Sequence, residues 1–305
     1  GIGYMPAEMY FNTTEQLAII TNDFMSDVVH YKSDYEKIDY GLYGRFFTPT
    51  KMKAQIRVNN RSKTDCFSNM KILYSGKANL LVENENMLNA ELLADKASVE
   101  MLSFEKIPAT IKLNFTNHED FKLYGILFDP EKGIAIDHVP FRGNANLMMN
   151  RFESESVIEM GKMLKPSLVV LHFGLNVVPD IRDNYKSYQL ALERDVRLLK
   201  EYLPVVSVLI IGVSDMARRV DGQMQAYPNI DAIVQAQCLA ASNAGAHFFD
   251  LRERMGGEGA IIDWVEKGWA KPDYAHFTLE GSEKAGQWIA DYILELYNQY
   301  LSQND

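Results

Sequence analysis

The sequence has few cysteines, no long apolar run and no excess of positive charge, and each shortage excludes a class of protein. Only Cys66 and Cys238 occur among the 305 residues, which excludes a disulfide framework and cysteine metal spacing. Both are expected to be small buried hydrophobic residues. No window is apolar over the length of a membrane helix, and no basic start followed by an apolar run marks a signal peptide.

The charge balance narrows the range of partners. The chain has 31 Lys+Arg against 41 Asp+Glu, for a net charge of −10. An acidic surface repels nucleic acid and anionic membranes, so the sequence favours neutral or cationic partners. The hydrophobic share of 47% is enough for one large domain or two. The chain starts at Gly1-Ile2-Gly3-Tyr4 without a Met, which suggests a trimmed beginning and leaves export open.

Short runs of alternating apolar and polar residues fill the first half and predict β-strands. Turn residues stand between some of the runs, as at Ser75-Gly76 and Asn117-His118. Alternation with frequent turns is typical of antiparallel sheets, so we predict an antiparallel β-sandwich over residues 51–129. Residues 1–50 are rich in aromatic side chains and are predicted to be irregular. The predicted strands are 54–58, 70–74, 79–83, 98–102, 110–115 and 122–127.

The pattern changes after Pro130, where apolar runs alternate with helical periodicity. This order is typical of an α/β domain with a parallel sheet, which we assign to residues 130–305. Thr278 is predicted to be the N-cap of the last helix. The predicted strands are 134–139, 168–173, 205–211 and 246–249, and the other predicted helices are 184–203 and 229–244.

Four residues at the predicted strand ends could perform acyl chemistry. Open parallel sheets bind ligands beyond the carboxyl ends of their strands, where Gly143, Asn176 and the loop with Asp273 and His276 are expected. A buried Asp three residues before a His can orient the imidazole as a general base. A glycine N–H and an asparagine NH₂ can stabilise an oxyanion.

Each candidate also has an ordinary structural explanation. Gly143 alone is more often a turn glycine, Asn176 is more often a loop cap, and Asp273 is more often a solvated surface carboxylate. Asp215 could line the crevice or cap a helix. Trp269 is close enough in sequence to His276 to contact a sugar ring. Only the order and placement of the four candidates favour catalysis.

These residues resemble the later motifs of the SGNH (GDSL-type) hydrolases. The resemblance rests on Gly143, Gly174-Leu175-Asn176 and Asp273-Tyr274-Ala275-His276, and it is closest to the branch of peptidoglycan and polysaccharide O-acetylesterases. The segments that suggest this branch are Gly1-Ile2-Gly3-Tyr4-Met5-Pro6, Ile211-Gly212-Val213-Ser214-Asp215-Met216 and Gly256-Gly257-Glu258-Gly259.

The resemblance implies a three-layer α/β/α domain with a parallel sheet and an inserted antiparallel β-sandwich, jelly-roll-like and similar to carbohydrate-binding modules. It also implies that His276 is the base, that Asp273 orients it, and that Gly143 and Asn176 form the oxyanion hole. No metal or cofactor is implied. The family's Gly-Asp-Ser element is expected upstream of Gly1, so the nucleophile and the first strand are predicted to lie outside this chain. Ser26 lacks the Gly-Asp lead and a buried strand before it.

Two hypotheses follow from the resemblance. The first is an exported serine esterase that removes O-acetyl groups from a polysaccharide or acts on another small ester. The second is a non-catalytic glycan-binding relative that has lost its nucleophile. The presence or absence of Gly-Asp-Ser before Gly1 discriminates between them. The identity of the glycan and the oligomeric state stay open.

Overall fold

The structure, a computed structural model, describes residues 3–5, 17–29, 37–60, 69–83, 88–94, 98–105, 110–130, 132–141 and 143–304. Its architecture is mixed α/β with a large antiparallel sheet. The strands are β1 (Gly3–Met5), β2 (Leu17–Ile20), β3 (Phe24–Val28), β4 (Arg45–Pro49), β5 (Lys53–Asn60), β6 (Asn69–Glu83), β7 (Leu88–Leu93), β8 (Glu100–Glu105), β9 (Thr110–Asp129), β10 (Leu168–His172), β11 (Ser207–Ile211), β12 (Ala217–Val220), β13 (Gln223–Ala226) and β14 (His247–Phe249).

The helices are α1 (Ser154–Leu164), α2 (Lys186–Tyr202), α3 (Ile230–Ala244), α4 (Leu251–Met255), α5 (Ala260–Glu266) and α6 (Leu279–Asn304). The chain divides into two compact units. The first, the β-rich unit, comprises Gly1–Arg142 and Arg151–Lys165; the second, the α/β unit, comprises Gly143–Asn150 and Pro166–Asp305. This division differs from the predicted boundary after residue 129, because residues 130–142 and α1 fall in the β-rich unit.

The β-rich unit is built around β9, which pairs antiparallel with β1, β4, β5 and β6. Alternate residues of the paired strands point into one apolar cluster, which includes the fully buried Ile56, Ile72 and Phe115. Successive side chains of a strand point to opposite faces of the sheet. The alternation of apolar and polar residues in this unit therefore specifies which face is buried. The sheet contains nine of the described strands.

Two predicted turns lie inside long strands instead. The runs predicted at 70–74 and 79–83 are parts of β6, and those at 110–115 and 122–127 are parts of β9. Gly76 and Asn117 have φ angles of 76° and 51°, and the β6–β9 register shifts between Ser75 and Lys77. Such residues form bulges that bend a strand without ending its pairing, so turn-like residues do not interrupt these strands.

Residues 1–50, predicted to be irregular, contribute β1 to β4 to the same sheet. Ser26 lies in the middle of β3, opposite Phe47 of β4. It is therefore an exposed residue of an antiparallel strand in the β-rich unit.

The α/β unit contains the parallel sheet β10-β11-β14. Leu209 and Ile211 of β11 pack in a cluster with α4, α5 and α6, in which Trp264 is the largest buried side chain. Helix α3 contacts β11 and β14. The predicted helices at 184–203 and 229–244 correspond to α2 and α3. The Thr278 hydroxyl accepts a hydrogen bond from the Gly281 N–H, as an N-cap residue should.

Strand β10 pairs only with β11 among the described residues. Leu168 and Val170 are 36% and 42% exposed, although they alternate along a strand of a parallel sheet. Strands of parallel sheets are normally buried on both faces. The apolar side chains of β10 are therefore only partly covered.

The strand predicted at 134–139 does not form. Ile134 and Ile136 are 80% and 69% exposed, and the segment has no regular secondary structure. No strand in the described part of the chain forms a ladder with this segment, so its apolar pattern alone does not specify a strand. Cys238, predicted to be buried, is an exposed residue of α3, because α3 buries Ile233, Gln237 and Ala241 instead. Cys66 lies outside the described residues.

Candidate active site

Asp273 and His276 form a hydrogen-bonded pair in the loop before α6. The distance from His276 Nδ1 to Asp273 Oδ2 is 2.8 Å. A carboxylate bound to one ring nitrogen selects the tautomer with its proton there, which leaves Nε2 as an acceptor. The pair is thus arranged as the orienting half of a hydrolytic triad. Asp273 is not the buried carboxylate of the usual arrangement, because 48% of its side chain is exposed, as is 65% of that of His276.

The same carboxylate holds the loop backbone. Asp273 Oδ1 accepts hydrogen bonds from the N–H groups of Ala275 and His276, both at 3.0 Å. Between them, Tyr274 has a φ of 55°, a conformation that few non-glycine residues adopt. Burial raises the pKa of Asp273, but the hydrogen bonds from His276 and Ala275 outweigh it and lower the pKa below its ordinary value. Asp273 therefore stays ionised beside the imidazole.

Neighbouring segments hold the ends of this loop. The Lys271 N–H donates to the carbonyl oxygen of His276, and the Ala217 N–H donates to that of Tyr274. Ala217 begins β12, shortly after the carboxyl end of β11. Phe277 packs on Trp264, with 5.0 Å between ring centroids. The loop is thus attached to the end of the parallel sheet and to the core beneath it.

Asn176 and the segment after Gly143 are also in contact. Asn176 Nδ2 donates to the carbonyl oxygen of Asn144 at 3.1 Å, and Gly143 has a φ of 78°. An asparagine amide has two N–H groups, so one can hold Asn144 while the other serves a substrate oxygen. The structure therefore brings together the two predicted oxyanion elements.

Gln237 of α3 holds the turn that carries Asn176. Its side chain is fully buried; Oε1 accepts from the Val213 N–H at 2.8 Å, and Nε2 donates to the Phe173 carbonyl at 2.9 Å. Gly174 has a φ of 117°, and a Cβ there would lie 2.8 Å from Gln237 Nε2. Gln237 thereby links the carboxyl ends of β10 and β11. The sequence reasoning missed it, although a Gln between Ala236 and Ala240 on the buried face of a helix was a usable signal.

Asp215 does not line a crevice. It is fully buried, and its carboxylate accepts hydrogen bonds from Arg252 Nε at 2.9 Å and from the Ile261 N–H at 3.1 Å. Ile261 is in the first turn of α5, so Asp215 caps this helix. This contact agrees with the capping alternative, and a carboxylate without exposed surface is not available to a substrate.

Trp269 is partly buried near the start of α6. Its indole N–H donates to Glu280 at 2.8 Å, and its ring meets Trp264 edge to face. The ammonium groups of Lys284 and Lys267 lie 4.4 and 5.3 Å from the ring centroid. The ring is therefore already in contact with two lysine side chains. The contact between Trp269 and a sugar stays a prediction.

The described part of the chain has neither a cluster of metal-binding side chains nor a helix suited to cross a membrane. No group of three or more His, Cys, Asp and Glu side chains in this part of the chain could hold a metal ion. No helix among these residues is both long and apolar enough to cross a membrane.

No family model and no curated protein matches the sequence. Among solved structures, a peptidoglycan O-acetylesterase superposes with a TM-score of 0.77 at 17% identity, and the match covers 98% of this chain and 83% of that one. A GDSL-like lipase of Parabacteroides merdae matches with a TM-score of 0.34 at 15% identity, over 42% of this chain and 61% of that one. A salicylyl-acyltransferase of a tetracycline biosynthetic pathway has a TM-score of 0.34 at 12% identity, over 92% and 97%.

The TM-scores of the last two structures are too low to bear on the fold. The likeness to the O-acetylesterase shows that this chain shares the fold of that protein, in agreement with the expected fold. At 17% identity it establishes the fold and not the activity.

Proposed function

We propose that this chain provides the His–Asp pair and the oxyanion hole of a serine esterase that removes O-acetyl groups from a polysaccharide. The observation that carries the proposal is the 2.8 Å hydrogen bond between His276 Nδ1 and Asp273 Oδ2. It is supported by the contact of Asn176 with Asn144 in the same unit. Similarity of the fold to a peptidoglycan O-acetylesterase points to the same reaction class.

The proposed reaction uses the residues as follows. His276 Nε2 takes the proton of a serine hydroxyl as the oxygen attacks the acetyl carbonyl, and Asp273 stabilises the imidazolium that forms. The Gly143 N–H and an Asn176 N–H donate to the resulting oxyanion, each worth roughly 3 kcal/mol of transition-state stabilisation. His276 then protonates the departing sugar oxygen. Water hydrolyses the acetyl-serine by the same steps and releases acetate.

The nucleophilic serine is proposed to come from residues outside this chain. Strand β10 pairs only with β11 among the described residues, which supports a further strand at its other edge, where it would pair the backbone and help to cover the exposed Leu168 and Val170. A serine at the carboxyl end of that strand would stand next to the turn that carries Asn176. The three-layer α/β/α arrangement and the role of the β-rich unit as an inserted carbohydrate-binding-like module belong to the same proposal.

The substrate is proposed to be an acetylated polysaccharide outside the cytoplasm, so the protein would be exported. This rests on the similarity of the fold to a solved structure that is named a peptidoglycan O-acetylesterase. The net charge of −10 favours neutral or cationic glycans over strongly anionic ones.

Acetate release from a panel of O-acetylated polysaccharides tests the proposal. The assay uses the complete protein, including whatever precedes Gly1, beside its His276→Ala variant. Acetate release by the wild-type complete protein, but not by the His276→Ala variant, supports the esterase function. Glycan binding without acetate release, and with no Gly-Asp-Ser before Gly1, would replace it with the non-catalytic glycan-binding hypothesis.

A further inference from the structure

A buried carboxylate of α2 binds the loop that begins at Gly143. Asp195 is 0% exposed. Its Oδ2 accepts from Asn146 Nδ2 at 2.7 Å and from the Met148 N–H at 3.0 Å, and its Oδ1 accepts from the Met149 N–H at 2.9 Å. All three donors belong to the segment 143–150, which is part of the α/β unit. Asp195 thus connects a helix interior to a single loop.

A carboxylate is costly at this position. It lies on the stripe of α2 that buries Leu192, Val196 and Leu199, where an apolar side chain would pack without desolvation of a charge. Burial raises the pKa of Asp195, and the hydrogen bonds from Met149, Met148 and Asn146 act in the opposite direction. The side chain therefore serves the loop rather than the packing of the helix.

The loop needs an anchor because its conformation is unfavourable. Met148 has a φ of 60°, which a non-glycine residue adopts only when its surroundings require it. The N–H of this residue is one of the three groups that Asp195 binds. Asn176 binds the carbonyl oxygen of Asn144 at the other end. The segment is thus held on both sides, with Gly143 next to the Asn176 contact.

We propose that Asp195 is a positioning residue for the oxyanion hole, which it serves by holding the segment 143–150 so that the Gly143 N–H points at the reacting carbonyl. This rests on the proposed esterase function. Asp195 does not touch the substrate. Oxyanion donors act only when they are placed within a fraction of an ångström before the reaction starts, so loosening this loop slows the chemical step.

Asp195→Asn in the complete protein tests the role. The amide has the same shape but replaces one acceptor oxygen by an NH₂ group, which faces N–H donors. We expect kcat for an acetyl ester to fall by roughly tenfold to a hundredfold while KM changes less than about threefold. Both are measured well below the unfolding temperature of the variant.

The matched control is Glu193→Gln, two residues earlier on α2. Glu193 is a hydrogen-bonded carboxylate too, but its partners are Gln189 and Asn243, away from the loop. Its kcat should stay within about twofold of the wild type. If kcat fell equally in both variants, the cause would be a general disturbance of helix α2, and the proposal would be overturned.

A double variant separates positioning from general stability. If Asp195 and Asn176 act on the same donors, Asp195→Asn combined with Asn176→Ala should lower kcat by clearly less than the product of the single losses. Multiplicative losses would overturn the proposal. If Asp195→Asn does not fold, the test uses Asn146→Ala, which removes one of the three hydrogen bonds. Its kcat should fall by roughly threefold to tenfold.

The outcomes for the two proposals are distinct. A complete wild-type protein that releases no acetate contradicts the esterase function. An active wild type whose kcat is unchanged by Asp195→Asn and by Asn146→Ala contradicts only the role of Asp195.

Discussion

The two halves of the candidate site are held in different ways. Every hydrogen bond of the Asp273 carboxylate goes to a residue two or three positions away. The oxyanion half depends on bonds between residues 32 positions apart at Asn176, 47 at Met148 and 64 at Gln237. The hydrogen bonds of the Asp273 carboxylate are thus local, although Ala217 also holds the Tyr274 carbonyl, whereas the oxyanion half exists only when the α/β unit is folded.

The largest effect should come from the local half. His276→Ala in the complete protein removes the general base, so kcat for a chromogenic acetyl ester should fall by roughly three or more orders of magnitude with little change in KM. The matched control is His247→Ala, an exposed histidine at the start of β14, which should retain wild-type turnover. Activity of His276→Ala within a few-fold of wild type would remove this residue from the mechanism.

Asn176→Ala should have the next largest effect. It removes one oxyanion donor and releases the Asn144 carbonyl, so kcat should fall by roughly a hundredfold. Circular dichroism should show an unchanged fold. Asn298→Ala, on an exposed part of α6, is the control. An unchanged rate in Asn176→Ala would mean that this residue is only a loop cap.

Gln237→Leu should lower the stability of the folded chain at the oxyanion half of the site. Leucine has a similar size but removes the acceptor of the buried Val213 N–H, which costs about 1–3 kcal/mol, and it removes the hydrogen bond to the Phe173 carbonyl. The midpoint of urea unfolding should fall accordingly, and kcat should fall with it. An unchanged midpoint would show that water or a rearrangement replaces the side chain and that the link between the strand ends is dispensable.

The smallest effect concerns the titration of Asp273. Because its folded pKa is lowered, its contribution to stability is present above the unfolded value of about pH 4 and is lost as the pH falls through the folded pKa. The carboxyl signal in NMR should titrate below its ordinary value, and Gln237→Leu should not shift it. His276→Ala should raise the pH at the midpoint of the Asp273 titration. If Gln237→Leu shifted the midpoint of the Asp273 titration, the two halves of the site would not be held independently.

The secondary structure of the α/β unit could largely be predicted because its cues are local. The apolar face of α2 and the N-cap at Thr278 are visible over a few residues. Turn-like residues at 75–76 misled the prediction, because glycine in a left-handed conformation suits a bulge as well as a turn. The segment 134–139 has the apolar pattern of a strand, but a strand also needs a partner, and no local pattern supplies one.

The residues that hold the site illustrate the same limit. Asp215 and Asp195 look like surface carboxylates in the sequence, yet both are fully buried and bound to distant N–H groups. For Asp195 the sequence did contain a cue to burial, because this residue falls on the apolar stripe of α2. Nothing in the sequence identified its partners, because hydrogen bonds across 46 or more residues depend on how the chain packs.

By itself, the sequence determined the strand and helix periods, the acidic charge and the Asp273–His276 pair, because each depends on side chains a few residues apart. Only the tertiary structure decided that Asn176 meets Asn144, that Asp215 caps a helix and that Asp195 binds the loop after Gly143. The reason is physical: a buried polar group must find a partner, and the fold, rather than the neighbouring sequence, determines which groups are within reach.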